Sequence, residues 1–287
     1  LNEKSVCQDK SNPDRIKLNF EDNVLRQVVP AFHKAQIHGN EGMHQQSIVL
    51  AAVILDSYPE TQDWIYKAFA TGGKYEAGNF YKLLINRVDH DGQAYESPFY
   101  NAGWLSNWLG VAEALDGYEL PEGIPLKDGL ISDPYKNVKF KKMFYGIYPL
   151  LLNQMYVANI GDTVQAGAPD ISIIQKDELI KAFSKYGDIE LAQIIYMLNG
   201  NSTVGIKEDI FADDPGAIAE EIQAIIEENG PLDMKSKLMS GTGFAVLRDG
   251  EAGEAAAGSY RYPFLEMEIA EATAPVSTDY PPTLQFN

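Results

Sequence analysis

Apolar residues recur at helical spacing over most of the chain. The 3.6-residue period predicts helices at roughly 22–36, 43–56, 60–70, 77–88, 99–116, 134–155, 176–186, 188–198 and 215–228. Punctuation agrees with many of these boundaries. Pro59 follows one helix, Gly72-Gly73 another and Asp91-Gly92 a third, while Asp133-Pro134 and Asp214-Pro215 place proline just inside a helix start. Short polar turns between successive amphipathic helices predict antiparallel helix pairs. A run of such pairs curving on itself makes an incomplete α/α toroid, with a stacked solenoid as the competing geometry. No fixed-period repeat favours the solenoid.

The texture changes after Gly230-Pro231. Gly243 to Arg248 reads as a strand between glycines, and Tyr262 to Ile269 as a second strand. Gly250 to Gly258 reads as a flexible Ala/Glu/Gly connector, and the proline-bearing tail as extended. The expected organisation is therefore mainly α: a helical toroid over residues 1–230, then an incomplete β domain over 231–287 with too few strands to close a sandwich.

Composition narrows the function. The longest apolar run, Ile48 to Leu55, falls well short of the ~18 residues a membrane span requires. Leu1 opens the sequence, and no signal peptide is legible in it. The single cysteine, Cys7, excludes an internal disulfide and a cysteine-rich zinc site. With no run long enough for a span, no membrane is expected as a partner; a net charge of −18 argues against nucleic acid and also looks wrong for a protein that holds a polyanionic polysaccharide. The acidity is uneven. Residues 1–100 hold 10 Lys/Arg against 13 Asp/Glu, so nearly all of the excess lies further on. The first third is near neutral, and Lys34, Lys74, Lys82 and Arg87 are its candidates for a local cationic cleft.

Chemistry-bearing residues concentrate in two segments, each running into an apolar helical stretch. They are His38-Gly39-Asn40-Glu41-Gly42-Met43-His44-Gln45 and Ala94-Tyr95-Glu96-Ser97-Pro98-Phe99-Tyr100-Asn101. All four histidines, His33, His38, His44 and His90, lie before residue 91. Polar groups at helix N-termini sit where backbone N–H groups and the macrodipole favour anions. The expectation is that the two segments face a shared cleft and handle an acidic sugar. Plainer readings stand beside this one: Asn40 as a turn residue, Glu41 as a favourable first-turn acid, His44 as a core histidine, Tyr100 as packing and Glu96 as a helix cap. His90 between Asp89 and Asp91 invites a metal, but Asp91-Gly92 is first a turn. Trp104, Trp108, Tyr145 and Tyr148 lie at helical spacing and read as core, with one or two open to stack on sugar rings.

The two segments, in this order and at this separation, resemble the heparinase II/III-like polysaccharide lyases, a group that includes alginate and heparan lyases. The motifs are Gly39-Asn40 entering a helix and, some fifty residues on, Asp91-Gly92 followed by Glu96-Ser97-Pro98-Phe99-Tyr100. A helix ending at Leu152, Asn159-Ile160-Gly161-Asp162-Thr163 and the strand Gly243 to Leu247 extend the resemblance over about residues 30 to 250. It implies β-elimination on a uronate glycan without a redox cofactor, in a secreted or periplasmic setting. Asn40 then matches the amide that neutralises the carboxylate, and Tyr100 the proton-transfer phenol, with Tyr95 as its alternative. Where several members have His after the Asn, this chain has Glu41; either Glu41 is held protonated or His44 takes the histidine's place. Gln45, Glu96, Asn101 and Arg87 complete the expected substrate contacts.

The family also has a histidine-bearing stretch of β-sandwich. No histidine follows His90 here, which leaves a divergent chain, a truncated one, or one completed by another polypeptide, and leaves a structural metal in such a β domain open. Two alternatives remain: a toroid glycoside hydrolase using Glu41 and Glu96, for which the carboxyl groups must stand about 5–9.5 Å apart, and a non-catalytic glycan-binding relic.

Overall fold

A computed structural model describes residues 12–70, 80–119, 133–152, 156–157, 160 and 175–248, together with the strand segments 255–259, 269–272 and 285–286. The described chain is mainly helical. It divides into two compact units, Leu1–Leu83 with Asn107–Pro134 and Leu84–Ser106 with Tyr135–Asn287. Each unit is therefore assembled from two stretches of sequence.

In the first unit, α1 (Pro13–Phe20) opens on Pro13, with Asn12 Oδ1 accepting the Asp14 N–H at 2.9 Å. This Asn-Pro start lies nine residues before the expected helix start at 22. The helix continues through one π turn, Glu21–Leu25, into α2 (Arg26–His33). Arg26 ties that turn down, reaching Asp22 at 2.8 Å and Glu60 at 3.1 Å. α3 (Met43–Leu55) and α4 (Glu60–Ala70) run as the periodicity predicts. Thr61 Oγ1 receives the Ser57 N–H and donates to the Ala52 carbonyl, so one hydroxyl closes the turn between them. Their buried faces, Ile48, Val49, Ala52 and Leu55 on α3 and Trp64, Ile65, Ala68 and Phe69 on α4, form the core. Phe80 joins it, with ring centroids 5.2 Å from Phe69 and 5.3 Å from Trp108.

The helices α5 (Phe80–Arg87) and α6 (Pro98–Leu115) each contribute residues to both units. In the second unit, the single helix expected over 134–155 is broken up. A 3₁₀ turn, Pro134–Lys136, leads to α7 (Val138–Gly146), a second 3₁₀ turn, Tyr148–Leu150, and the short antiparallel pair β1 (Leu151–Leu152) and β2 (Tyr156–Val157). Asn137 starts α7 by accepting the Lys139 and Phe140 N–H groups. Pro149 cannot continue a helix because it lacks an N–H and its ring crowds the preceding turn. The Arg248 guanidinium then holds the extended backbone beyond it, donating to the Pro149 and Leu151 carbonyls at 2.8 Å each.

Three further helices, α8 (Lys176–Tyr186), α9 (Ile189–Leu198) and α10 (Ala217–Asn229), follow as expected. A five-stranded antiparallel sheet then runs in chain order: β3 (Lys237–Met239), β4 (Phe244–Arg248), β5 (Ala255–Ser259), β6 (Ile269–Ala272) and β7 (Gln285–Phe286). β4 is the strand read from Gly243 onward. β5 corrects the expected connector, because Ala255 to Ser259 pair residue for residue with β4. The second strand expected, Tyr262 to Ile269, falls outside the described residues except for Ile269, which opens β6. Met239, Phe244 and Val246 pack with Leu150, Leu151, Leu152, Val157 and Met197 in one core, so sheet and helices of this unit share an interior.

Candidate functional site

The expected site residues fall into two groups: Asn40, Glu41, His44 and Gln45 in the first unit, and Arg87, Tyr95, Glu96, Tyr100 and Asn101 in the second.

The first group is built around a glycine. Gly42 stands at the N-cap of α3 with φ of +87°, a region L side chains avoid. A Cβ there would lie 2.7 Å from Asn107 Cβ and 2.8 Å from Trp108 Cδ1, so the loop is pressed against α6 where only glycine fits. Asn107 also donates to the Glu41 carbonyl at 3.3 Å. Gly42, as the cap residue, brings no side chain to the first N–H groups of α3. Asn40 is exposed beside that helix end, its carbonyl accepting the Met43 N–H, and Glu41 is half-buried.

His44 is not at the surface. It is 7% exposed, its ring centroid lies 4.5 Å from that of Phe32, and its Nε2 is buried without a hydrogen-bond partner. A Cβ on Gly39 would sit 3.4 Å from this nitrogen, so the Gly39 backbone lies over it. Burial, and then the neighbouring His38, lower the His44 pKa and hold the ring neutral. Gln45, expected to touch substrate, is buried at 1% exposure. In this conformation Asn40 is the surface group and His44 and Gln45 lie beneath it.

The second group rides on a tightly tied loop. Val88 bridges Ala94, the Asp89 N–H donates to the Gln93 carbonyl at 2.8 Å, and Asp89 Oδ1 accepts the Asp91 and Gln93 N–H groups. Gly92, with φ of +85°, packs so closely on α7 that a Cβ would lie 2.1 Å from the Lys142 carbonyl oxygen. Gln93, which sequence reasoning passed over, is fully buried and links three parts. Its amide donates to the Gly146 carbonyl and its oxygen accepts from Asn101, which also donates to the Glu96 carbonyl at 3.3 Å. Asn101 is thus 2% exposed and holds the loop in place of the expected substrate contact. The sequence signal for Gln93 was modest: an amide just past a turn glycine, eight residues before a second amide, Asn101.

Ser97, and not Glu96, stands at the start of α6, with its Oγ 3.5 Å from the Tyr100 N–H and its carbonyl accepting the Asn101 N–H. Glu96, Tyr95 and Arg87 are left exposed, Tyr95 at 57%, while Tyr100 is half-buried with its ring edge-on to Phe99. Opposite the loop, Asp91 accepts the Gly241 N–H at 2.7 Å and His90 Nε2 lies 2.9 Å from Ser240 Oγ. His90 and Asp91 thus hold the β3–β4 turn. Among the described residues no group of three or more His, Cys, Asp or Glu is placed to hold a metal ion, and no helix is long and apolar enough to cross a membrane.

Other candidates resolve simply. Trp104 and Trp108 are core at 2% and 0% exposure. The Tyr145 and Tyr148 hydroxyls donate to Asp188 and Glu190, and burial, then these carboxylates, push both phenols up. Lys34 and Lys82 are exposed, whereas Lys74 and Asp162 lie outside the described residues. No known protein family, curated protein or solved structure matches the chain.

Proposed function

We propose that this chain is a polysaccharide lyase, or the α/α-toroid part of one, that cleaves a uronic-acid-containing glycan by β-elimination. The observation that supports the reading is the start of α3: a helix N-terminus whose cap residue, Gly42, has no side chain, with Asn40 exposed beside it. A helix N-terminus attracts a carboxylate through its backbone N–H groups and macrodipole. Elimination needs that attraction first, because the proton on C5 is too weakly acidic until the adjacent carboxylate is neutralised and the developing aci-carboxylate stabilised.

In this reading Asn40 and the first turn of α3 receive the carboxylate, with neutral His44 as a support beneath Gly39. Elimination then needs a base to take the C5 proton and an acid to protonate the departing O4, and the reading assigns that proton transfer to Tyr100, with Tyr95 as the alternative phenol. Glu96 and Arg87, both exposed, meet sugar hydroxyls or the neighbouring uronate.

The test is a panel of uronate polymers incubated with the full chain. The reading expects new ultraviolet absorbance from the C4–C5 double bond of the product, abolished by Tyr100→Phe with the far-ultraviolet circular dichroism unchanged. Turnover retained in Tyr100→Phe and lost in Tyr95→Phe would transfer the role. Saturated reducing ends without unsaturated product, lost in Glu96→Gln, would replace elimination by hydrolysis.

A further inference from the structure

Between α9 and α10 the chain makes a long irregular excursion, and it treats like residues unlike. Ile206 is buried at 3% exposure, while Val204 stands at 84% and the adjacent Ile210 and Phe211 at 88% each. Leaving an isoleucine and a phenylalanine in water forgoes the stabilisation that burying such side chains brings.

Loose chain does not account for it, because the tip is pinned. The Glu208 N–H donates to the Pro215 carbonyl at 2.9 Å and closes the neck. Asp209 Oδ1 accepts the Phe211 N–H at 3.0 Å, the Asp209 carbonyl accepts the Ala212 N–H at 3.3 Å, and Asp214 Oδ1 accepts the Gly216 N–H at 3.1 Å. From α8, Ser184 donates to Glu208 and Lys181 lies 3.7 Å from Asp209. Two large apolar side chains are therefore held outward on a fixed backbone, with exposed Asp209, Asp213 and Asp214 around them.

We propose that Ile210 and Phe211 form a docking hook that inserts into an apolar pocket, rimmed by lysine and arginine, on another protein. The acidic collar sets the partner's charge. A second copy of this chain, at net charge −18, would bring acid against acid, and an anionic lipid surface would repel the collar in the same way. A pre-ordered tip also lowers the ordering cost of binding, which suits an anchor residue.

The experiment places benzoylphenylalanine at position 211 of the full chain in the cell that makes it, irradiates, and maps the adducts by mass spectrometry. The adducted protein is then purified and titrated against the unlabelled chain. Support requires attachment within an apolar pocket bordered by basic residues, affinity reduced about tenfold or more by Phe211→Ala, and further weakening by Asp213→Lys or added salt. Phe211→Ala should leave the melting temperature unchanged, since the side chain touches little. The hook is overturned by no adduct, by adducts only to lipid or to a second copy, or by affinity indifferent to Phe211→Ala.

Discussion

The loop entering α3 and the loop entering α6 reach similar ends by opposite means. At residues 38–45 a glycine pressed against a helix fixes the backbone, the cap position carries no side chain, and His44 keeps a buried ring nitrogen unpartnered. At residues 87–101 the buried amides Gln93 and Asn101 are both committed, to each other and to the backbone of α7 and of the loop itself. The first arrangement places a side-chain-free cap at a helix start, with Asn40 exposed beside it. The second converts its amides into rigidity and presents Tyr95, Glu96 and Tyr100 from a fixed base. The same kinds of side chain serve both arrangements.

Glycine substitutions separate the two most strongly. Gly92→Ala forces a Cβ onto a backbone carbonyl at positive φ and should cost about 3–4 kcal/mol. Gly42→Ala meets the Asn107 Cβ and the buried Trp108 ring at 2.7 and 2.8 Å, a less severe overlap than the 2.1 Å at Gly92, and should cost about 2–3 kcal/mol. Urea midpoints of the two variants check the order, and an equal or reversed loss would remove the distinction.

Amide and imidazole come next. Gln93→Ala strands the Gly146 carbonyl and the Asn101 amide and should lower stability by about 2–3 kcal/mol. His44→Phe leaves no partner behind and keeps the ring contact with Phe32, so a change within about 1 kcal/mol is expected at pH 8. A His44→Phe loss as large as that of Gln93→Ala would mean that the imidazole is bonded in solution.

The smallest effect is a pH dependence. Burial lowers the pKa of His44, and burial followed by Lys67 lowers that of His33. Both rings are neutral in either state at alkaline pH. As pH falls below the unfolded value of about 6.5, the unfolded chain takes up protons that the folded chain refuses, so stability declines. Unfolding measured from pH 8 to pH 5 should show that decline, and His44→Phe should reduce its slope. A flat profile would place these rings in water.

Strong periodicity made α3, α4, α6, α8 and α9 legible in the sequence, and the strand after Gly243 was marked by its flanking glycines. Local rules that compete with periodicity hid the rest. The start at Asn12-Pro13 was passed over; α1 buries no side chain, and its apolar Ile16, Leu18 and Phe20 stay exposed. The apolar run after Val138 kept a helical rhythm through Pro149, and only the tertiary bonds from Arg248 show the backbone to be extended there. Ala255 to Ser259 lack strand-forming side chains and are ordered by pairing with β4. At the candidate site, the two loops could be located from sequence but not the division of labour within them. Burial turns His44, Gln45 and Asn101 from expected contacts into support, and Gln93 became visible only once its partners were placed.

Turnover by Asn40→Ala, compared with the parent chain on a uronate polymer, most directly tests whether the open end of α3 is the carboxylate receptor. The expected result is a loss of about 100-fold or more in rate of unsaturated product, with the unfolding midpoint unchanged because Asn40 is exposed. Undiminished rate in Asn40→Ala, on a substrate that the parent chain cleaves, would contradict that role.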